Sequence, residues 1–161
     1  MIEIPHAQTT YMALDAIDRA IVEALCEDAR TSQRQLAQKV GVAQGTITNR
    51  LRRLEEEGVI IGYSPIIDAE SVGWGMTVMA GLCIEKGMMM EVQRNISADS
   101  RVFSVYDVTG DWDSMVLARV KNRKDLDDLT KTVFTMNGIT RSYTHVVLNT
   151  VKESGVRLPE E

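Results

Sequence analysis

The residues best suited to chemistry in this sequence are six cationic side chains in the window 29–54, which contains no aspartate or glutamate. They are Arg30, Arg34, Lys39, Arg50, Arg52 and Arg53. The whole chain carries a formal net charge of −5, so this window is a local exception in an acidic protein. A cluster of cations without carboxylates favours contact with a polyanion, and nucleic acid is the leading candidate.

Residue sets for catalysis or metal binding are sparse. The chain has two histidines, His6 and His145, and two cysteines, Cys26 and Cys83, none of them in metal-ligand spacing. No Ser-His-Asp set, Cys-His set or phosphate loop is recognisable. We therefore expect no enzyme, no metal and no cofactor, and we expect both cysteines to be buried, reduced and structural.

Two short helices joined by a tight turn are predicted to present the cations. Ser32 and Gln35 have capping-box spacing at the start of the first helix, and Gly41 is placed to end it. The second helix opens near Ala43 or Gln44, with Ile47, Leu51 and Leu54 inward. Its outward side is then Gln44, Gly45, Thr48, Asn49 and Arg52. This pattern is typical of a helix-turn-helix, although a solvated helical hairpin that binds nothing is the plain alternative.

Composition indicates a globular protein with a packed core. The 161 residues are 44% hydrophobic and 25% charged, and they leave room for one ordinary domain or two small ones. No apolar run approaches the roughly 18 to 20 residues that span a bilayer. Residues 1–12 lack the basic leader and apolar core of a signal peptide. We expect a cytoplasmic protein that makes no contact with a membrane.

The order of periodic segments predicts two domains. A tail at 1–13 precedes a DNA-binding domain at 14–64, whose first helix starts near Leu14 and whose residues 59–63 form a strand or wing. A linker at 65–75 follows. The domain at 76–154 has strands at 76–84, 102–109, 114–120 and 139–151, helices at 88–96 and 122–136, and a tail after it at 155–161. This βαββαβ order predicts an α+β, ferredoxin-like sandwich with one open sheet face, which a second copy would cover.

Motifs spread over most of the chain resemble one family. They are Leu14-Asp15-x-x-Asp18, Ala29-Arg30-Thr31-Ser32, Leu36-Ala37, Arg50-Leu51-x-x-Leu54-Glu55-x-x-Gly58-Val59-Ile60 and Val108-Thr109-Gly110-Asp111-Trp112-Asp113. Together they are similar to the Lrp/AsnC, or feast/famine, transcriptional regulators from about residue 14 to 154. The resemblance implies a winged helix-turn-helix on double-stranded DNA, joined by a hinge to an amino-acid-sensing domain that forms dimers and often octamers.

The resemblance also implies two sets of site residues. The recognition helix is Gln44 to Glu57, and the DNA-contacting set is Ser32, Arg34, Gln44, Gly45, Thr46, Thr48, Asn49, Arg50, Arg52 and Arg53. The effector, an amino acid, is expected at a dimer interface against Gly110, Trp112 and Asp113, with Tyr143 and Thr144. Ala43 replaces the family's usual serine, so the recognition helix lacks a side-chain cap.

Two other functions fit the same architecture. Siroheme decarboxylases use it for tetrapyrrole chemistry, but His145 is explained as an ordinary sheet histidine and His6 lies in the tail. A sensing module with a vestigial DNA head is the other alternative, and the intact cationic window argues against it.

Overall fold

The fold is described from a computed structural model, in which residues 13–159 are described. The chain divides into two compact units. The first holds residues 13–65 together with the C-terminal segment 154–159, and the second is Ile66–Glu153. The predicted tail at 1–13 lies, apart from its last residue, outside the described part of the chain.

The first unit is built from three helices around a small apolar core. They are α1 (Ala16–Glu27), α2 (Gln33–Val40) and α3 (Gln44–Glu56). Apolar residues at helical spacing form the buried cluster, which consists of Ile21, Ala24, Leu36, Ala37, Ile47, Leu51 and Leu54. The predicted helix-turn-helix is confirmed, and α1 supplies the surface on which α2 and α3 pack.

Local signals set the ends of these helices. Asp15 caps α1 by accepting from the backbone N–H groups of Ile17 and Asp18, at 3.0 and 2.9 Å. Ser32 and Gln35 form the predicted capping box of α2. Gly41 ends α2 with φ at +78°, a conformation that side-chain-bearing residues rarely adopt. Ala43 begins α3 in extended geometry and makes no side-chain capping bond, as predicted.

The first unit also departs from the sequence predictions at two points. No strand forms at 59–63, because a strand needs a neighbour with free backbone groups and the unit contains no other strand in its described residues. Cys26 is exposed on α1, since it lies outside the inward stripe of Ile21 and Ala24, so its predicted burial is wrong. Cys83, in the second unit, is half-buried.

The second unit has the predicted βαββαβ order. Its elements are β1 (Met76–Ile84), α4 (Met89–Ser97), β2 (Val102–Asp107), β3 (Ser114–Val120), α5 (Arg123–Thr132) and β4 (Ile139–Val146). The strands form one antiparallel sheet in the order β2-β3-β1-β4. The ferredoxin-like class is therefore confirmed, with β1 and β3 at the centre of the sheet and β2 and β4 at its edges.

Strand alternation separates a covered sheet face from an open one. The covered face pairs Val78 with Ala118 and Ala80 with Val116, and it packs against Val92 and Ile96 of α4 and Leu129 of α5. The open face presents Met79, Phe103, Tyr106, Met115, Leu117 and Tyr143. Among residues 13–159, no helix is long and apolar enough to cross a bilayer.

Three elements of this unit are shorter than predicted, and the first is β2, which ends at Asp107 rather than at 109. β4 ends at Val146, which pairs with Val78 of β1, and the last backbone bond runs from the Val147 N–H to the Thr77 carbonyl at 2.9 Å. α5 ends at Thr132, where the Phe134 N–H turns back to the Leu129 carbonyl at 3.2 Å and places Phe134 in the core. The predicted continuations to 151 and 136 are wrong.

Candidate functional site

The exposed side of α3 carries most of the polar residues predicted to contact a nucleic acid. Ser32 and Arg34 of the α2 start are exposed, as are Gln44, Gly45, Thr48, Asn49 and Arg52 of α3, whereas Thr46 is half-buried. These exposed residues lie on one side because Ile47, Leu51 and Leu54 hold the opposite side of α3 in the core. The sequence pattern therefore identified the outward face of this helix correctly.

Short hydrogen bonds order this surface. The Thr48 hydroxyl lies 2.6 Å from Oε1 of Gln33 and 3.1 Å from the Gln44 carbonyl, which joins the start of α2 to α3. Arg52 donates to the Asn49 side-chain oxygen at 3.3 Å, a weak bond between neighbours on one helical face. The Asn49 amide group and the rest of the Arg52 guanidinium remain directed to solvent for a ligand.

Two residues of the predicted DNA-contacting set also join α3 to α1. Arg50 pairs with Asp15 and, at 3.2 Å, with the fully buried Asp18, and Arg53 also pairs with Asp18. The backbone N–H of Asp18 and the Arg50 guanidinium lower the pKa of Asp15. Both arginines therefore neutralise carboxylates of α1, and the structure gives them a positioning role that the sequence prediction missed.

The remaining cations of the window divide in the same way. Lys39 pairs with Glu27 of α1. Arg30, Arg34 and Arg52 make no ion pair with any residue between 13 and 159. Half of the cationic cluster is thus neutralised inside the unit, and the unneutralised half lies on α3, at the start of α2 and in the turn before α2.

A cleft of about 420 Å³ lies between α2, α3 and the segment after α3. Its polar lining includes Ser32, Gln33, Thr48 and Arg52, and Tyr63 closes one side. The Tyr63 hydroxyl donates to Glu55 Oε1 at 3.0 Å, and burial together with that carboxylate raises the pKa of Tyr63 to about 12. The phenol therefore stays neutral at physiological pH, and the concave surface combines hydroxyl, amide and guanidinium donors.

The second candidate site surrounds the turn between β2 and β3. The backbone N–H of Asp113 donates to the Leu82 carbonyl at 2.9 Å, and Oδ2 of Asp113 accepts from the Ile84 N–H at 2.7 Å. Gly110 adopts φ of +110°, which favours glycine. The turn is thereby fixed against β1, and Asp113 remains exposed with one carboxylate oxygen not used by these bonds.

Trp112 lies over the sheet because β1 has a glycine beneath it. An ideal Cβ at Gly81 would stand 2.6 Å from Cδ2 of Trp112, closer than real side chains approach. The Arg141 guanidinium carbon is 4.4 Å from the centroid of the Trp112 ring. Tyr143 is the next aromatic ring, with its centroid 6.3 Å from that of Trp112.

β4 places only part of the predicted set at this site. Arg141, Tyr143 and His145 share the open face, with the Tyr143 and His145 centroids 4.8 Å apart. Thr144 pairs with the buried Ala80 and points to the helix-covered face, so the structure does not bring it to the turn. Gly81 and Arg141 were missed by sequence reasoning, although the two-residue period from Tyr143 indicates Arg141.

Two family models match the two units in turn. A winged helix-turn-helix DNA-binding model matches residues 14–61. An Lrp/AsnC ligand-binding domain model matches residues 77–157, which is half of the chain. The matched segments contain the α3 face and the turn with Trp112, respectively.

Two curated relatives extend the match to nearly the whole chain. The uncharacterized HTH-type transcriptional regulator PH1692 of Pyrococcus horikoshii is 43% identical over 142 residues, covering 88% of this chain and 96% of the relative. The HTH-type transcriptional regulator FL11 of the same organism is 33% identical over 141 residues, covering 88% and 93%. Both relatives are named as regulators of transcription.

A solved structure shares the complete architecture. The feast or famine regulatory protein Rv3291c of Mycobacterium tuberculosis, complexed with L-methionine, superimposes with a TM-score of 0.85 at 30% identity. The superposition covers 91% of this chain and 100% of that one.

Proposed function

The chain belongs to the Lrp/AsnC family of DNA-binding transcriptional regulators, and we propose that an amino acid bound beside Trp112 modulates its assembly or its affinity for a specific DNA sequence. The observation that supports the DNA part is the exposed face of α3, where amide and hydroxyl side chains suited to base edges adjoin Arg34 and Arg52, which form no ion pair with any residue between 13 and 159. The amino acid is the part of the proposal that goes beyond the family assignment.

The exposed face of α3 fits a division of labour on duplex DNA. Arg34, Arg52 and the Ser32 hydroxyl are suited to phosphate oxygens, since guanidinium and hydroxyl groups donate to them without reading sequence. Gln44, Thr48 and Asn49 are suited to base edges in the major groove, where amides pair with adenine. Arg50 and Arg53 would support this face by fixing α3 against α1.

The turn at Gly110 and Asp113 fits an amino-acid effector. An exposed carboxylate can pair with an α-ammonium group, and the free oxygen of Asp113 is available while its other oxygen fixes the turn. The related M. tuberculosis regulator is known in complex with L-methionine, which supports the same ligand class for this chain. Trp112 provides apolar contact for the ligand's side chain or its aliphatic carbons.

The open sheet face fits a second copy of the chain. It exposes Met79 by 37%, Phe103 by 41%, Tyr106 by 53% and Tyr143 by 57%, in one patch on a single sheet. Patches of this kind on a soluble domain mark interaction sites. A homodimer through this face, assembling further toward an octamer, would also place the effector site at an interface.

The experiment that tests the proposal combines DNA binding with an effector panel. The purified protein should bind duplex DNA with an affinity that falls steeply with salt, and genome-wide footprinting should show discrete sites that change on amino-acid supplementation. A protein that binds no duplex at low salt would be a sensing module with a vestigial head. Footprints that ignore every amino acid would remove the effector part and leave the DNA part intact.

A further inference from the structure

Arg141 and Trp112 form a paired group beside the effector turn. Resting on the proposed function, we infer that the stacked Arg141 guanidinium is the receptor for the effector's α-carboxylate, opposite the ammonium-binding Asp113. This assignment names the anionic end of the ligand and the residue that selects it. It makes the effector a molecule that carries both an ammonium group and a free carboxylate.

The indole platform under Arg141 is built into the sheet. Gly81 has no side chain, and any Cβ there would collide with the fused bond of the indole at 2.6 to 2.7 Å. The flanking Asp113 is bonded to β1 through its backbone and its carboxylate. Trp112 is therefore anchored through its neighbour Asp113, and its ring lies directly against the backbone of β1 at Gly81.

The Arg141 guanidinium is positioned yet has no acceptor among residues 13–159. Its carbon lies 4.4 Å from the indole centroid, which is stacking distance for a cation on an aromatic ring. The described residues give it neither a hydrogen bond nor an ion pair, and the side chain is exposed. A stacked guanidinium keeps its edge N–H groups free, and two of them match the two oxygens of a carboxylate.

Arg141 and Asp113 approach the same point of β1 from its two sides. On β4, Arg141 pairs directly with Cys83 of β1. On the other side of β1, Asp113, which precedes β3, bonds to Leu82 and Ile84 of β1. Neighbouring strands lie roughly 4.8 Å apart, so the two flanking backbones are separated by roughly 10 Å. The Arg141 cation and the Asp113 anion thus lie on opposite sides of β1 and form no ion pair with each other, an arrangement complementary to the two charges of a zwitterion.

The packing alternative assigns Arg141 only to covering Trp112. It predicts that any long side chain at position 141 would cover Trp112 equally well and that the charge of the ligand would not affect its affinity. The two alternatives are separated by changing the carboxylate on the ligand and the guanidinium on the protein in the same experiment.

Isothermal calorimetry on the full-length protein provides the test. A panel of the protein amino acids, starting with L-methionine, identifies a ligand, which is then compared with its own α-amide. The wild type should bind the acid at least about tenfold more tightly than the amide, since a charge-assisted contact is lost. Arg141→Gln should weaken binding of the acid by at least about tenfold and abolish the preference for the acid over the amide. The affinity of Arg141→Lys for the acid should fall between those of the wild type and Arg141→Gln. Arg94→Gln, an exposed arginine on α4, is the matched control and should change neither value.

Each outcome decides between the alternatives. If Arg141→Gln binds the acid as tightly as the wild type, or if it loses affinity for the acid and the amide equally, Arg141 is not the carboxylate receptor. The effector proposal would then still stand. If the wild type binds no amino acid, the effector part of the proposed function fails and this inference fails with it. Unchanged effector-free DNA affinity in Arg141→Gln shows that the variant is folded.

Discussion

Adjacent arginines on α3 have opposite surroundings. Arg53 pairs with the buried Asp18, whereas Arg52 is exposed and contacts only Asn49 within the described chain. The helical rotation of 100° per residue produces this difference, because one residue turns the side chain from α1 toward solvent. Charge alone thus does not distinguish the two arginines, whereas the internal partner of each guanidinium does.

Arg52 and Asn49 should contribute to DNA binding in different ways. Arg52→Ala should weaken binding to all sequences and reduce the salt dependence by about one phosphate contact. Asn49→Ala should chiefly relax base preference, at about 1 to 3 kcal/mol for the position it reads. Binding curves on operator and random duplex at several salt concentrations measure both effects.

Arg94→Ala, on the second unit, is the control for a lost positive charge and should leave both measurements unchanged. An equal loss of sequence preference in the Arg52 and Asn49 variants would contradict the division of roles. The 3.3 Å bond between them allows a small coupling, which the double variant would quantify.

Sequence reasoning found the cations but not their pairing. Arg50 and Asp15 are 35 residues apart, and Arg53 and Asp18 are also 35 residues apart. Asp15 caps the start of α1 and Asp18 lies in its first turn, and the packing of α3 on α1 gives both carboxylates a second role. Such tertiary pairs depend on the angle between helices, which no local pattern specifies.

At the scale of elements, α3 begins without a capping side chain. Ala43 has the extended backbone of an N-cap residue, with φ of −67° and ψ of 147°. A side-chain hydroxyl at this position could therefore accept a hydrogen bond from a backbone N–H in the first turn of α3. Ala43→Ser should raise the free energy of unfolding by about 1 kcal/mol. Urea denaturation followed by circular dichroism measures it, and Ala29→Ser, an exposed residue outside any helix, is the control. No gain over that control would show that α3 is capped by other means.

The start of β2 is joined to α5 by an ion network. Arg101 donates to Asp99 at 2.7 Å, to Asp125 at 2.9 Å and to Asp128 at 2.8 Å. The Arg101 guanidinium lowers the pKa of Asp99, and the Lys121 backbone N–H, assisted by Arg101, lowers the pKa of Asp125. Ionised carboxylates therefore stabilise the contact between these two elements.

Acid should weaken this network in a defined direction. Because the folded pKa values of Asp99 and Asp125 lie below the ordinary value of 3.8, their stabilising contribution is complete above that pH and is lost as the pH falls through the folded values. Asp99→Asn should therefore destabilise the protein at pH 7 and destabilise it less at pH 2. Thermal unfolding at the two pH values tests this, with Asp127→Asn, exposed on α5, as the control. An Asp99→Asn effect of equal size at both pH values would contradict the linkage.

Element types followed from the sequence more reliably than element ends. Apolar residues at every second position specified β1, and Val78, Ala80 and Leu82 of that set fill the helix-covered face. β4 was predicted through 151 because residues 139–151 are rich in threonine and valine, yet the structure exposes Leu148 by 96% and Val151 by 93%. Because β1 begins at Met76 and pairs Val78 with Val146, it has no backbone left to pair with residues 149–151.

At the scale of the whole molecule, chain order does not match the division into units. The segment 154–159 follows the sheet unit in sequence but groups with the helical unit. Arg19 of α1 donates to the Pro159 carbonyl at 2.7 Å. The sequence predicted only a tail at 155–161, since the segment has no periodicity that would indicate where it packs.

The open sheet face determines the expected assembly. Met79 lies at its centre, on β1 and directly opposite Leu117 of β3, with aromatic residues of β2 and β4 on either side. A second copy of the chain would bury this patch by two-fold symmetry, which presents the same surface from both partners. Apolar contact would then be the main contribution to dimer stability.

A lysine at this centre should dissociate the assembly. Met79→Lys would place an ammonium group in the middle of an apolar interface, where burying an unpaired charge costs at least about 3 kcal/mol and so raises the dimer dissociation constant by roughly 100-fold. The folded monomer should tolerate the change, because Met79 faces away from the helix-covered core. Met90→Lys is the matched control, since Met90 is 76% exposed on α4 and does not belong to the sheet face. Sedimentation velocity at micromolar concentration should show an oligomer for wild type and Met90→Lys and a folded monomer for Met79→Lys. A monomeric wild type, or an unchanged oligomer in Met79→Lys, would mean that this face does not hold the copies together.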